Sequence, residues 1–130
     1  MDNRRFAMNS ERSTAGSRLS ALIICTTCAD GRGQALLEAV ENEALARDLP
    51  LAIHGQACMA ACKQSCTAAL QGAGKHSYLF GELAPDAACV EALLAVAAQH
   101  AEPGEGLLPW DRRPERLKRG LVARLPPLPA

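Results

Sequence analysis

The sequence is poor in aromatic residues: two Phe, one Tyr and one Trp make up 3% of 130 residues. A core must therefore be built from Leu, Ala, Val and Ile, which the 48% hydrophobic content allows. Net charge is also missing, because 14 Lys/Arg balance 14 Asp/Glu. A general nucleic-acid binder needs a positive excess to meet phosphates, so no nucleic-acid partner is expected. No stretch approaches the roughly 18 consecutive apolar residues of a membrane span. Residues 1–20, MDNRRFAMNSERSTAGSRLS, lack the apolar segment of a secretory signal. The expectation is a cytoplasmic protein with no membrane partner. Internal repeats are absent, and neither G-x-x-x-x-G-K-[ST] nor G-x-G-x-x-G occurs, so Gly72, Gly74 and Gly81 serve turns and not a phosphate cradle.

What the chain has in quantity is cysteine, with six residues. Cytosolic thiols are kept reduced, so this number points to metal or redox chemistry ahead of structural disulfides. Cys25 and Cys28 form a C-x-x-C. Cys58, Cys62 and Cys66 recur four apart in ACMAACKQSC. On a helix that spacing makes one stripe; in a loop it can still wrap a metal. A single buried Cys packs as a small hydrophobe, a poor account of three at regular spacing preceded by a C-x-x-C. Cys89 differs: it shares a helix face with Leu93 and Val96 and reads as core.

The surrounding pattern places these thiols. Residues 1–18 read as a disordered segment. The apolar run 20–25 is a buried strand, 30–33 a turn, and 34–48 a helix with Leu36, Leu37, Val40 and Ala44 on one face. Pro50 closes the helix and 51–54 forms a second strand. Residues 67–71 and 76–81 read as a hairpin around Gly72 and Gly74. A last helix opens at Pro85-Asp86 and runs to about Ala98. This β-α-β, β-β-α order is that of a thioredoxin-like α/β domain, assigned to 19–101. Residues 102–130 read as an extended Pro/Arg-rich arm with at most a short basic helix, packed over the domain by Leu107, Leu108 and Trp110. Residues 29–105 carry four Lys/Arg against ten Asp/Glu, and 106–130 six against two, so an acidic body bears a basic tail.

Parallel strands bring Cys25, Cys28 and Cys58 to one end of the sheet, where sites form in open α/β sheets. Two thiolates from each segment supply four soft ligands, suited to tetrahedral Zn²⁺ or to an iron–sulfur cluster. Five thiols compete for four places. Cys25, Cys28, Cys58 and Cys62 are the first choice, with Cys66 the alternate. His54 is a weaker candidate for a mixed zinc site; His76 and His100 read as surface positions. Lys63 and Lys75 read as solvated, although either can offset a negative cluster. A thiol–disulfide oxidoreductase is the less favoured reading. No helix starts cleanly after Cys25 to lower its pKa, and no proline lies between Pro50 and Pro85 to face the pair.

ICTTC, ACMAACKQSCTAALQGAGKHSYLFGEL and GLLPWDRRPERLKRGLVARLPP resemble a bacterial family of uncharacterised, predicted metal-binding proteins, which looks like a branch of the thioredoxin-like [2Fe-2S] ferredoxins. The resemblance runs from about Ile23 to Pro127. It implies a thioredoxin-like fold, a [2Fe-2S] cluster on cysteines, electron transfer without enzymatic activity, and a redox partner protein, with a pointer to cobalamin metabolism. Those ferredoxins space their first two ligands farther apart than Cys25 and Cys28. Their second pair is Cys-x-x-x-Cys, which Cys58 and Cys62 match, and a Gly-Pro commonly follows where this chain has Ser65-Cys66. The competing expectation is a Zn-binding or metal-delivery module without redox function.

Overall fold

The computed structural model describes residues 20–27 and 29–128. The expectations for residues 1–18 and for the Cys28 thiol lie outside the described residues. Strand β1 (Ala21–Cys25) buries Leu22 and Ile24 and leaves Ala21 and Ile23 half-exposed, the alternation of a strand with one covered face. A turn at 29–31 follows, with Asp30 at φ 52 and Gly31 at φ 92, both left-handed. Helix α1 (Arg32–Ala46) therefore begins well clear of Cys25, and it buries Gly33, Leu36, Leu37, Val40 and Ala44. Strand β2 (Ala52–Gln56) lies parallel to β1, with Cys25 opposite Gln56.

The expected hairpin is present as β3 (Ala68–Gln71) and β4 (Ser77–Phe80), paired antiparallel. Strand β3 also pairs antiparallel with β1, Leu22 facing Leu70. Helix α2 (Ala87–Ala101) starts at Asp86, whose side chain accepts from Cys89 N at 2.8 Å. That bond satisfies one of the helix's open N–H groups. Leu22, Ile24, Leu36, Val40, Leu70, Phe80, Leu93 and Val96 meet in one core with no solvent exposure. α1 and α2 pack on each other over the same sheet face.

Residues 102–128 depart from the expected extended arm. Leu108 is buried, and its N–H donates to Tyr78 Oη at 2.9 Å. Arg113 Nη2 donates to Leu108 O at 2.8 Å, and its guanidinium lies 5.7 Å from the ring centroids of both Tyr78 and Trp110. The short basic helix α3 (Glu115–Arg119) is held by its one buried residue, Leu117. Strand β5 (Leu121–Leu125) then pairs antiparallel with β4, giving a five-stranded mixed sheet of order β2-β1-β3-β4-β5. Ala123 faces Leu79 and Leu121 faces Phe80, so Val122 is the extra residue of a bulge. Of the three residues expected to anchor the arm, Leu108 is buried, while Leu107 and Trp110 remain 51% and 61% exposed. Among the described residues, no helix is long and apolar enough to cross a membrane.

Candidate functional site

The two cysteine-bearing segments leave adjacent strands at one sheet end. Cys25 closes β1, and its N–H donates to Thr67 O at 3.1 Å. The next residue, Thr26, donates its N–H to Gln56 O at 2.9 Å, at the last position of β2. The junction of β1 with β2 thus lies directly between CTTC and ACMAACKQSC. The Cys25 thiol is buried, with Sγ 3.7 Å from Thr27 Oγ1.

The 57–66 segment does not form a helix. Cys58 at φ 78 and Ala60 at φ 59 are left-handed, which breaks any helical stripe. One 3-10 turn, Cys62–Gln64, is all the helical structure it contains. The thiols of Cys58 and Cys62 consequently face solvent, whereas Cys66 is fully buried. Cys66 is tied to the β4–α2 connection by a reciprocal pair, Cys66 N to Leu83 O at 3.2 Å and Leu83 N to Cys66 O at 3.0 Å. The Ser65–Cys66 peptide is cis. Beside the loop lies an open cleft of about 680 Å³, lined by Met59, Ala61, Cys62, Lys63, Leu79 and Val122 among others.

Burial pushes the Cys66 thiol above its ordinary pKa; Arg32 opposes this, while Cys25 and Cys89 add to it. Cys89 is buried, as expected of a core residue, and its Sγ accepts from Ala84 N at 3.3 Å. Burial also raises its pKa. The five described thiols therefore divide: Cys58 and Cys62 are exposed, and Cys25, Cys66 and Cys89 lie within. Among the described residues, no three Cys, His, Asp or Glu side chains are grouped to hold a metal ion. The proximity of Cys89 to Cys66 had no signal in the sequence, because it depends on how α2 docks.

His54 is exposed in the middle of β2, where a strand end was expected, and Lys63 is solvated as expected. Two expectations are corrected. His100 is fully buried, not a surface residue. Its Nε2–H donates to His76 O at 2.7 Å, which leaves Nδ1 to accept the Ser20 hydroxyl at 2.5 Å. His76 itself is half-buried. Lys75 is likewise buried, not solvated: its Nζ donates to His100 O at 2.6 Å and Glu102 O at 3.3 Å, closing the C-terminal end of α2. This cluster adjoins the β3–β4 turn, at the sheet end opposite the cysteines, so neither His100 nor Lys75 belongs to the thiol site.

In fold, the chain is similar to solved structures of a thioredoxin-like [2Fe-2S] ferredoxin from Aquifex aeolicus. One is 13% identical with a TM-score of 0.54, covering 82% of this chain and 92% of its own. A second, at 1.5 Å resolution, is 12% identical with a TM-score of 0.51, covering 81% and 97%. At such identity the likeness establishes the thioredoxin-like fold. No curated protein matches the chain. A family model does match residues 22–127, from β1 through β5, and on that match the chain belongs to the family DUF1636, described as proteins of unknown function.

Proposed function

We propose that this chain is a small cysteine-ligated [2Fe-2S] protein that carries single electrons to and from a partner protein and is not itself an enzyme. One observation carries the reading: both cysteine segments depart from the same end of adjacent parallel strands in a thioredoxin-like sheet, joined by the Thr26–Gln56 hydrogen bond. The donor chemistry fits, because the chain offers soft thiols in excess of the four a cluster takes. Cys25, Cys28, Cys58 and Cys62 would hold the group, which supplies one-electron redox chemistry when bound.

The chain's own residues divide the remaining work. Cys25 is set by two flanking strands and provides the fixed side. Cys58 and Cys62 stand at solvent on the loop, where a partner has access. Cys66 is better suited to stay a buried thiol beneath the site, since burial favours its protonated form and Leu83 holds its backbone on both sides. The exposure of Cys58 and Cys62 equally suits a zinc-binding or metal-delivery module, which is the second reading.

Anaerobic purification followed by a visible spectrum and iron, sulfide and zinc analysis separates the two. Equal iron and acid-labile sulfide with visible absorption supports the cluster. A colourless, zinc-loaded protein removes it. Single Cys→Ser variants then assign ligands: Cys58→Ser and Cys62→Ser are expected to bleach the protein and Cys66→Ser to leave its colour. A bleached Cys66→Ser beside a coloured Cys28→Ser would overturn the ligand choice.

A further inference from the structure

Gly81, the residue after β4, sits where three segments meet. A Cβ at this position would lie 2.9 Å from both Gln64 Cβ and Gln64 O, and 3.1 Å from Val122 Cγ2. The two Gln64 distances are closer than a Cβ comes to other heavy atoms and the Val122 distance is tight, so a side chain here forces Gln64 to shift. From the other side, the Gly81 N–H donates to Gly120 O at 2.8 Å, and a Cβ on Gly120 would lie 2.9 Å from Gly81 O. Gly81 thus touches the cysteine loop through Gln64 and the C-terminal segment through Gly120 and Val122.

The contact continues along the backbone. Glu82 N donates to Gln64 O at 2.6 Å, and Leu83 exchanges both its bonds with Cys66. Within the loop, Ser65 N and Ser65 Oγ both donate to Cys62 O, at 3.3 and 2.8 Å. An unbroken set of bonds therefore runs from Gly120 through 81–83 to Gln64 and Cys66, and back to Cys62.

We propose that Gly81 is a positioning residue for the cysteine loop: its lack of a side chain sets where Gln64 rests, and through it the C-terminal segment fixes where Cys62 and Cys66 are held. This deepens the reading of the 57–66 loop as half of the site, and rests on it. A methyl group here displaces Gln64 and loosens the loop locally, while the core around Cys89 stays closed.

The test is timed alkylation of the metal-free, full-length chain with iodoacetamide, read cysteine by cysteine by mass spectrometry. In Gly81→Ala, Cys66 is expected to react about tenfold faster or more, the scale of a local opening caused by overpacking. Cys89, as fully buried as Cys66, serves as the internal reference and is expected to keep its rate. Adding Val122→Ala removes one of the contacts and is expected to restore part of the Cys66 protection. Gly120→Ala meets the junction from the C-terminal side and must give the same pattern, including if Gly81→Ala does not fold. In protein loaded with iron and sulfide, Gly81→Ala is expected to shift the visible circular dichroism bands. Unchanged Cys66 reactivity, equal exposure of Cys66 and Cys89, or failure of both glycine variants to fold would overturn the proposal. The alkylation needs no metal, so a failed cluster assay leaves it standing, and its failure leaves the metal analysis untouched.

Discussion

Replacing Leu117 by Ala measures how firmly the C-terminal segment belongs to the domain. Leu117 is fully buried and is the one buried residue of α3, a helix of five residues. So short a helix has no stability of its own and forms because it docks. Truncating a fully buried Leu to Ala costs about 2–5 kcal/mol, the larger values applying where the surroundings do not close the cavity. Against a total of about 5–15 kcal/mol for a domain, that is a large share. With a urea m-value of about 2 kcal/mol/M, the middle of the usual range, the unfolding midpoint is expected to fall by about 1–2.5 M. Leu107→Ala, at a position 51% exposed, is the matched control and is expected to cost under about 1 kcal/mol. Far-UV circular dichroism follows the whole domain, and the fluorescence of Trp110, the single tryptophan, follows the C-terminal segment. Both signals are expected to move together in one transition. If Leu117→Ala costs no more than Leu107→Ala, or if Trp110 changes in a separate earlier step, the segment is a loose arm and its assignment to the sheet core is wrong.

Two further perturbations probe the buried polar contacts. Burial holds His100 below its ordinary pKa of 6.5, the His76 carbonyl opposing and Lys75 and the His76 ring adding to the effect. A depressed folded-state pKa means the unfolded chain takes up the proton first. The stability it represents is therefore complete above pH 6.5 and is lost as pH falls through the folded value. Urea midpoints are expected to drop between about pH 7 and 5 in the native chain and to fall less steeply in His100→Gln; equal slopes would rule this out. Tyr78→Phe leaves the Leu108 N–H buried without its acceptor, at a cost of about 1–3 kcal/mol. A Phe variant as stable as the native chain in urea would show that this bond contributes nothing.

The β-α-β unit and hairpin were readable because their signals are local: apolar runs of strand length, a helical face at Leu36, Leu37 and Val40, and an Asp at a helix start. The shared end of the cysteine segments followed from those elements by topology. The C-terminal strand was not readable. Arg124 and the prolines at 109, 114 and 126 give the region the composition of a surface arm, and β5 exists because β4 offers an open edge 44 residues earlier, Ser77 facing Leu125 and Leu79 facing Ala123. His100 and Lys75 look solvated by residue type, yet their partners Ser20, His76 and Glu102 come from other parts of the chain. Regular spacing left open whether the three cysteines share a helix face or lie in a loop. Cys58, Cys62 and Cys66 are equally spaced in sequence, but left-handed backbone at Cys58 and Ala60 and the Leu83 pairing send them to different environments.

The internal position of β1 has a mechanical consequence. Cys25 N is bonded to Thr67 on one side of the strand, and Thr26 N to Gln56 on the other. Displacing the Cys25 backbone would disturb two ladders at once, one parallel and one antiparallel. Cys58 and Cys62 instead sit on a loop anchored at its far end by Leu83. The two segments are thus arranged like a vice with one fixed jaw. Any change in the distance between Cys25 and the exposed pair Cys58 and Cys62 falls to the loop jaw, and the strand, held on both sides, serves as the reference against which the loop moves.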